Sequence, residues 1–285
     1  MLMLSVALGN YNKAGYVENA LEAILKQSFQ PAEIVIVDDC STDGSRQTLE
    51  KYAERYSVIR LLKNEQNCGA VYSYNLAVNN CSGEYLYMMG CDDMIFPGFF
   101  EKCVDLLEQY PQAAYCTSEP AQFFESNGVI LENRLGWSEH PRYFNPEEFA
   151  DILKGWYVPS HPTVSRRKLY VESGMHLPEL KWHSDWFFWL VLGFRHGICY
   201  LPEPMAAIRV AEGSFSRGRA DWNQQRQVLA NILKTLKAPE YHDLIGYFAQ
   251  SNAMAHFGDE IVKAVFSEPE LMGDPEILAL IQPQL

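Results

Sequence analysis

Apolar positions in the first hundred residues of the chain follow two alternating spacings. Four short runs, at residues 2–8, 34–37, 58–62 and 85–89, are almost continuously apolar, which is typical of strands buried on both faces. Between these runs apolar residues recur every three or four positions, as they do over residues 15–27, which predicts amphipathic helices. This regular β-α alternation predicts an α/β fold with a doubly wound, mostly parallel sheet.

A different pattern follows the helix predicted at residues 98–109. Asn145 and Pro146 predict another helix start, because Asn is a favoured N-cap and Pro is tolerated in the first turn. A very apolar helix is predicted at residues 186–194, and helical spacing dominates from about residue 220 onwards. Short strands are predicted at residues 114–117, 122–125, 129–132, 197–201 and 206–210.

Polar residues come directly after three of the predicted strands. Asn10-Tyr11, Asp38-Asp39 and Asp92-Asp93 each stand at the carboxyl end of an apolar run. In open α/β sheets, ligands bind in the crevice outside the carboxyl ends of the strands. We therefore expect these residues to lie together at one edge of the sheet and to form a binding site.

Among these residues, Asp92 and Asp93 indicate most directly what the site could bind. Two adjacent carboxylates at the end of a buried strand repel each other, so the position favours a nearby cation. Mg²⁺ and Mn²⁺ prefer oxygen ligands and often keep substrate phosphates in their shell, so one interpretation is a divalent cation carrying a diphosphate. The alternative is that the two aspartates cap the helix that starts near Gly98.

The composition limits which kinds of binding partner and which cellular compartment we expect for this protein. A formal net charge of −13 argues against a nucleic-acid partner, because phosphate binding requires clustered Lys and Arg. The longest apolar run, residues 186–193, is too short to span a bilayer, and residues 1–8 lack the cationic start of a signal peptide. The seven cysteines are scattered without a Cys-x-x-Cys pair, which favours free thiols. We therefore expect a cytoplasmic protein.

Taken in chain order, these segments resemble the family-2 glycosyltransferases, which have the GT-A fold. The matching segments are Ser5-Val6 through Asn10-Tyr11-Asn12-Lys13, residues 37–44 (VDDCSTDG), Asn67-Cys68-Gly69, Gly83-Glu84-Tyr85, Asp92-Asp93 with Pro97, and Ser184-Asp185. The resemblance covers roughly residues 3–216. It implies transfer of a sugar from a nucleotide-diphosphate donor to an acceptor hydroxyl, with inversion at the anomeric carbon.

The resemblance also implies roles for individual residues. Tyr11 would border the nucleobase and Asp39 would accept a hydrogen bond from the base ring. Asp93 would ligate Mn²⁺ or Mg²⁺, with Asp92 and Glu212 as further candidate ligands. Asp185 would be the general base for the acceptor hydroxyl, although it could instead cap the helix at residues 186–194. The complete set of nucleotide-binding candidates is Gly9, Tyr11, Asp39, Asn67, Gly69 and Asp92, and the candidate acceptor contacts are His161, Trp182 and His183.

Three positions depart from the family pattern. Gly90 stands where many members have the first Asp of Asp-x-Asp, and residues 73–75 lack an Arg that often precedes the Asn. Ala211 stands where a His commonly helps to hold the metal, and Glu212 could substitute as an oxygen donor. These departures leave open a nucleotide-sugar-binding module that has lost turnover. A nucleotide-sugar pyrophosphorylase is less favoured, because the loop after the first strand contains only one cation, Lys13.

The expected organisation is a GT-A catalytic domain at residues 1–216 followed by a helical region at residues 217–285. The nucleotide-binding half would occupy about residues 1–98 and the acceptor half about residues 99–216. A UDP-sugar is the favoured donor, and the acceptor could be a saccharide, a lipid-linked molecule or a protein. A lipid-linked acceptor would place the protein at the inner face of the membrane, with aromatic residues 99–100 or 156–157 as candidate membrane contacts.

Overall fold

A mixed sheet of ten strands runs through the computed structural model, which describes residues 2–210 and 219–284. The strands are β1 (Leu4–Asn10), β2 (Glu33–Asp38), β3 (Ile59–Lys63), β4 (Tyr85–Gly90), β5 (Met94–Ile95), β6 (Tyr115–Phe124), β7 (Val129–Glu132), β8 (Arg142–Phe144), β9 (Thr163–Arg166) and β10 (Ile198–Val210). The main path through the sheet has the order β3-β2-β1-β4-β9-β6-β10-β5, and β7 and β8 pair with β6 and β10.

Helices cover both faces of this sheet. They are α1 (Val17–Leu25), α2 (Ser45–Arg55), α3 (Ala70–Asn79), α4 (Phe99–Gln109), α5 (Pro146–Leu153), α6 (Arg167–Glu172), α7 (Ser184–His196), α8 (Trp222–Leu236), α9 (Ile245–Gln250), α10 (Asp259–Phe266), α11 (Pro269–Met272) and α12 (Pro275–Ile281). Short 3-10 segments lie at Pro178–His183, His242–Leu244, Ala253–Phe257 and Gln282–Gln284. The predicted C-terminal helical region is therefore present. In the described residues, no helix combines the length and apolar character needed to cross a bilayer.

The first four long strands confirm the predicted parallel arrangement. β1 lies between β2 and β4 and is parallel to both, with Gly9 opposite Val37 on one side and Gly90 on the other. β3 extends the parallel set beyond β2. The carboxyl ends of these strands therefore meet at one edge of the sheet, where their polar residues were expected to lie together.

Beyond β4 the sheet becomes mixed, because β9 inserts antiparallel between β4 and β6. The segments predicted separately at residues 114–117 and 122–125 form the single strand β6. The segments at residues 197–201 and 206–210 likewise form one strand, β10, whose pairing with β6 shifts register around Pro204. Proline lacks the N–H that a strand ladder needs, so the interruption concealed a continuous strand from the sequence pattern.

Two apolar cores lie on the two faces of the sheet. Alternate residues of β1, β2 and β4 belong to one core or the other, as the two-residue period of a strand requires. The first core joins the sheet to α7 and to the C-terminal helices α8–α12. The second core contains α1 and α4, including Phe99 and Phe100, whose rings pack against Tyr87. The candidate membrane contact at Phe99 and Phe100 was therefore wrong: these residues begin the apolar face of α4 and are fully buried.

The predicted start of α5 is confirmed in detail. Asn145 Oδ1 accepts a hydrogen bond from the Glu148 backbone N–H at 2.9 Å, and Glu148 Oε2 accepts one from the Asn145 N–H at 3.0 Å. This reciprocal pair is a capping box, with Pro146 in the first turn. The local sequence alone is sufficient for this feature because both partners lie within one helical turn.

Gly193→Ala in α7 should destabilise the protein by about 1–3 kcal/mol, because an added methyl group overpacks the contact between α7, α5 and β6. A Cβ at position 193 would clash with the Phe149 ring and lie 2.9 Å from the Tyr115 hydroxyl. Gly246→Ala in α9 is the matched control, since nothing lies within 4 Å of its Cβ position. Urea denaturation of both variants measures the difference, and a Gly193→Ala protein as stable as the Gly246→Ala protein would contradict this packing.

Candidate active site

Asp38, at the end of β2, is fully buried and organises the loop that follows it. Its carboxylate accepts hydrogen bonds from Asn10 Nδ2 at 2.8 Å and from Arg46 Nε at 2.6 Å. Burial alone raises the pKa of Asp38, but the hydrogen bonds from Ser41, Arg46 and Asn10 together lower it below the ordinary value. These contacts brace the loop between β2 and α2.

Asp39, the next residue, holds a second loop. Its Oδ1 accepts hydrogen bonds from the Cys68 N–H at 2.8 Å and from Asn64 Nδ2 at 2.7 Å. Its Oδ2 accepts one from the Gly69 N–H at 2.8 Å, and Asn67 Oδ1 accepts a longer one from the same N–H at 3.0 Å. Three of the predicted nucleotide-binding residues therefore lie in one hydrogen-bonded group: Asp39, directly after β2, and Asn67 and Gly69, in the loop between β3 and α3.

Tyr11 and Gly9 occupy different environments near the end of β1. Tyr11 is 45% exposed, so it is not a core aromatic and its ring is open to a ligand. Gly9 lies within β1, and a Cβ at this position would stand 3.3 Å from Tyr74 Cε1. Glycine at position 9 therefore allows the ring of Tyr74, on α3, to approach the strand closely.

Asp92 and Asp93 follow β4, and their negative charges are stabilised by different groups. Asp92 Oδ2 forms an ion pair with Lys13 Nζ at 2.5 Å, so the loop after β1 supplies a cation. Asp93 accepts hydrogen bonds from the backbone N–H groups of Gly90 at 3.4 Å and Arg209 at 3.3 Å. Burial, and then the negative charge of Asp92, raise the pKa of Asp93 above its ordinary value. A further cation beside Asp93 would therefore be favourable.

Gly90 leaves room for these carboxylates. A Cβ at position 90 would lie 2.7 Å from Asp92 Oδ1 and 3.5 Å from Asp93 Oδ2, so a larger residue would force Asp92 to move. Both carboxylates thus approach the space above Gly90. The departure from Asp-x-Asp at this position removes one carboxylate and gives the remaining pair more room.

The oxygen donors at this point fit a hard divalent cation. Over residues 2–210 and 219–284, no three His, Cys, Asp or Glu side chains converge in a way that could cage a metal. Mg²⁺ does not require such a cage, since it is usually held by one or two carboxylates together with substrate phosphates and water. Asp92 and Asp93 would provide those carboxylates. The third candidate ligand, Glu212, lies outside the described residues.

A cleft of about 470 Å³ opens beside this edge of the sheet. Its walls include Asp93 from the metal candidates, Asp185, and all three predicted acceptor contacts, His161, Trp182 and His183. The other predicted residues, Gly9, Tyr11, Asp39, Asn67, Gly69 and Asp92, do not line it. Among the candidate residues that follow the parallel strands, Asp93 is therefore the one that also lines the cleft.

Asp185 lies in the first turn of α7 and is held from two directions. Its Oδ2 accepts a hydrogen bond from Ser160 Oγ at 2.6 Å, and its Oδ1 accepts one from the Trp186 N–H at 2.8 Å. Ser160 Oγ in turn accepts a hydrogen bond from Trp189 Nε1 at 3.0 Å. The carboxylate therefore faces the cleft and contacts the first turn of α7, but it does not cap the helix. The N-cap is His183, whose side chain makes no capping hydrogen bond, so the capping alternative for Asp185 was wrong.

The histidines in the cleft are neutral at pH 7. Burial lowers the pKa of His161 to about 3, and burial is the main cause that lowers the pKa of His183 to about 4. Trp182 Nε1 donates to Gln225 Oε1 at 2.8 Å, and His183 Nε2 lies 3.2 Å from the same oxygen. Helix α8 thus positions two of the three candidate acceptor residues from behind.

Three residues at this site were not singled out from the sequence as functional. Lys13 could have been found, because it is the only cation in the loop after the first strand and an acidic site needs one. Arg209 reaches the site through backbone and side chain, since its Nε also donates to the Asp92 carbonyl at 2.9 Å. Ser160 had no sequence signal, because its contact with Asp185 joins residues 25 positions apart.

The sequence profile described as Glycosyl transferase family 2 matches residues 5–172, more than half of the chain, and ends before Asp185. The chain is also similar to the glycosyltransferase TuaG of Bacillus subtilis, which is named for teichuronic acid biosynthesis. The two are 36% identical over 219 residues, which cover 76% of this chain and 82% of TuaG. The family profile and a relative aligned over about three quarters of this chain therefore agree on the family.

Solved structures share the fold at low sequence identity. S. aureus TarS 1–349 in complex with UDP-GlcNAc aligns with a TM-score of 0.72 and 20% identity, over 98% of this chain and 82% of that chain. The mannosyltransferase PcManGT of Pyrobaculum calidifontis, in complex with GDP-Man and Mn²⁺, aligns with a TM-score of 0.60 and 17% identity, over 98% and 78% of the two chains. The family profile and TuaG show that the chain belongs to glycosyl transferase family 2, and the solved structures, together with the parallel half-sheet, show that it is a glycosyltransferase with the GT-A fold.

Proposed function

We propose that this protein is an inverting, metal-dependent glycosyltransferase that moves a sugar from a UDP-sugar to an acceptor hydroxyl in polysaccharide or glycoconjugate synthesis. The observation that carries the proposal is that two carboxylates with different surroundings, Asp93 and Asp185, line one cleft. Asp93 sits beside a second aspartate and suits a cation, whereas Asp185 is held alone at a helix start and suits a base. Inverting transfer requires a base for the acceptor hydroxyl and stabilisation of the negative charge on the leaving group, and a cation held by Asp93 would supply the second.

The nucleoside part of the donor would bind at the strand ends outside the cleft. Tyr11 offers an exposed ring to the base, and the loop held by Asp39 offers backbone and side-chain groups beside it. The bound ligands of the two structural neighbours, UDP-GlcNAc in TarS and GDP-Man in PcManGT, support a nucleoside diphosphate donor. The UDP-GlcNAc complex of TarS supports uracil as the base proposed here.

The diphosphate would lie against the carboxylates that follow β4. Asp93, together with Asp92, would hold Mn²⁺ or Mg²⁺, as the Mn²⁺ complex of PcManGT suggests for the fold. When bound, the cation would offset the negative charge on the departing nucleoside diphosphate. Lys13 would act in the same direction, because its ion pair with Asp92 keeps an ammonium group beside the phosphates.

Asp185 would accept the proton of the acceptor hydroxyl as that hydroxyl attacks the sugar. Each of its oxygens receives one hydrogen bond, from Ser160 or from the Trp186 N–H, so each keeps a lone pair for the acceptor. Ser160 is itself fixed by Trp189 of α7, so a buried helix determines where the carboxylate points. A base held in one place is what displacement with inversion needs.

The acceptor would enter the cleft past His161, Trp182 and His183. Because the two imidazoles are neutral, they can exchange hydrogen bonds with sugar hydroxyls and do not select a phosphate. A saccharide, free or linked to lipid or protein, is therefore the proposed acceptor. We place the reaction in the cytoplasm, in the catalytic domain at residues 1–216 with residues 217–285 as its helical appendage.

A thermal-shift screen of UDP, GDP, CDP and dTDP, each with and without Mn²⁺, tests the donor assignment. We expect UDP with Mn²⁺ to raise the melting temperature most, because the base pocket and the carboxylates are then both engaged. Release of UDP from UDP-sugars with added Mn²⁺ then separates an enzyme from a binding module. Stabilisation by UDP without any release from UDP-sugars or transfer would favour the binding module.

Asp93→Asn should reduce the gain in UDP affinity that Mn²⁺ provides, by about tenfold or more, while the fold stays intact. The reason is that Asp93 is the carboxylate whose environment most favours a nearby cation. Calorimetric titration of UDP with and without Mn²⁺ measures this gain. Asp105→Asn on the exposed side of α4 is the matched control, and an unchanged gain in Asp93→Asn would remove Asp93 from the metal site.

Asp185→Asn should leave the melting temperature and UDP affinity unchanged but reduce sugar transfer by about 10²-fold or more. Asparagine keeps the side-chain shape and an oxygen that can accept from the Trp186 N–H, so this contact in the first turn of α7 is preserved. Only the capacity to take a proton is lost. Transfer within a few-fold of the wild-type rate would leave Asp185 as a structural residue of α7.

A further inference from the structure

A second cavity lies beside the cleft and takes no part in the functions proposed so far. It is lined by two indoles, Trp137 and Trp156, by the oppositely charged Asp151 and Lys154, and by Leu135 and Ile152. Trp156 is 51% exposed, although tryptophan is usually among the most buried side chains. We name this site the Trp137–Trp156 cavity.

One wall of the cavity is held by a buried carboxylate. Glu119, on β6, accepts hydrogen bonds from the backbone N–H groups of Leu135 at 2.5 Å and Gly136 at 3.0 Å. The Tyr200 hydroxyl donates to the same carboxylate. This buried acid lies outside the catalytic cleft, and its contacts fix the loop that carries Trp137.

The opposite wall is fixed by a glycine turn. Gly155 has a φ of +79°, and a Cβ there would lie 2.9 Å from Ala255 Cβ, so a side chain would be excluded. The Gly155 N–H donates to the Ser251 carbonyl at 2.8 Å, and the Trp156 N–H donates to the Leu153 carbonyl at 2.7 Å. The backbone under the Trp156 indole is thus anchored to the C-terminal helical region, and an exposed ring is presented in a preorganised position.

The chain connects this cavity directly with the cleft. Trp156 lines the cavity, whereas Tyr157, the next residue, lines the cleft. Consecutive Cα atoms are about 3.8 Å apart, so Trp156 lies within roughly 15 Å of Ser160, the partner of Asp185. This distance is within the reach of a short chain of sugars whose end lies at Asp185.

We infer that the Trp137–Trp156 cavity binds a sugar unit of the acceptor that lies beyond the unit being glycosylated. The inference rests on the proposed function, because it assigns the acceptor as an oligosaccharide or longer glycan. Indole rings pack against the apolar C–H faces of pyranose rings, and Asp151 and Lys154 can hydrogen-bond hydroxyls on either side. The opposite charges of these two residues balance, which fits an uncharged sugar unit.

Alanine substitution of Trp156 tests the inference on the full chain. Wild type, Trp156→Ala and Phe266→Ala are applied, with UDP and Mn²⁺ present, to an array of defined bacterial glycan fragments from mono- to hexasaccharides. Phe266 on α10 is the matched control, because it is 54% exposed and lines neither cavity. We expect wild type and Phe266→Ala to retain the same oligosaccharides and Trp156→Ala to bind them about tenfold to thirtyfold more weakly.

A second measurement separates this inference from the proposed function. UDP affinity, measured by calorimetry, should be equal in all three proteins, and its absence in all three would refute the donor site rather than the cavity. With UDP bound, glycan retention that is unchanged in Trp156→Ala, or absent in wild type, overturns the cavity assignment. Weaker binding of Trp156→Ala to phosphatidylglycerol vesicles, with glycan retention unchanged, would instead assign Trp156 to a membrane surface. Trp156→Phe, which keeps an aromatic ring, should recover part of the glycan binding.

Discussion

The repulsion between Asp92 and Asp93, the adjacent carboxylates that follow β4, is the main electrostatic constraint on this edge of the sheet. Like charges on adjacent residues need compensation, and the chain supplies it from distant segments. Lys13 reaches Asp92 from the loop after β1, and Arg209 at the end of β10 donates to Asp93 and to the Asp92 carbonyl. The two halves of the sheet therefore meet at this pair, which makes the same point suited to a cation and a diphosphate.

Buried carboxylates hold the loops around this centre. Asp38, Asp39 and Glu119 each accept hydrogen bonds from backbone N–H groups of a loop that has no strand or helix partner for them. Since unpaired buried N–H groups are costly, each acid makes a specific loop conformation stable. The proposed nucleotide and acceptor sites are both bordered by loops held in this way, so these loops have a defined conformation without a ligand.

The end of the cleft that contains Asp185 is supported by the C-terminal helices. α7 is almost completely buried between the sheet and these helices, and Gln225 of α8 contacts both Trp182 and His183. The turn at Gly155 is likewise anchored by the Ser251 carbonyl. The C-terminal helices therefore position Trp182 and His183 in the wall of the cleft, even though the family profile ends at residue 172.

The sequence by itself determined the parallel half of the sheet, the order of its strands and helices along the chain, and the residues that follow the strands. These features depend on short-range patterns: apolar period, helix caps such as Asn145, and acids placed directly after a strand. The resemblance to family 2 then identified Asp93 as a candidate metal ligand and Asp185 as a candidate base. Only the tertiary structure decided that Phe99 and Phe100 are buried, that β10 is one strand and that Asp93 and Asp185 share a cleft. It also decided the contacts of Lys13 with Asp92 and of Ser160 with Asp185, because each joins residues far apart in the chain, and local patterns carry no information about such pairs.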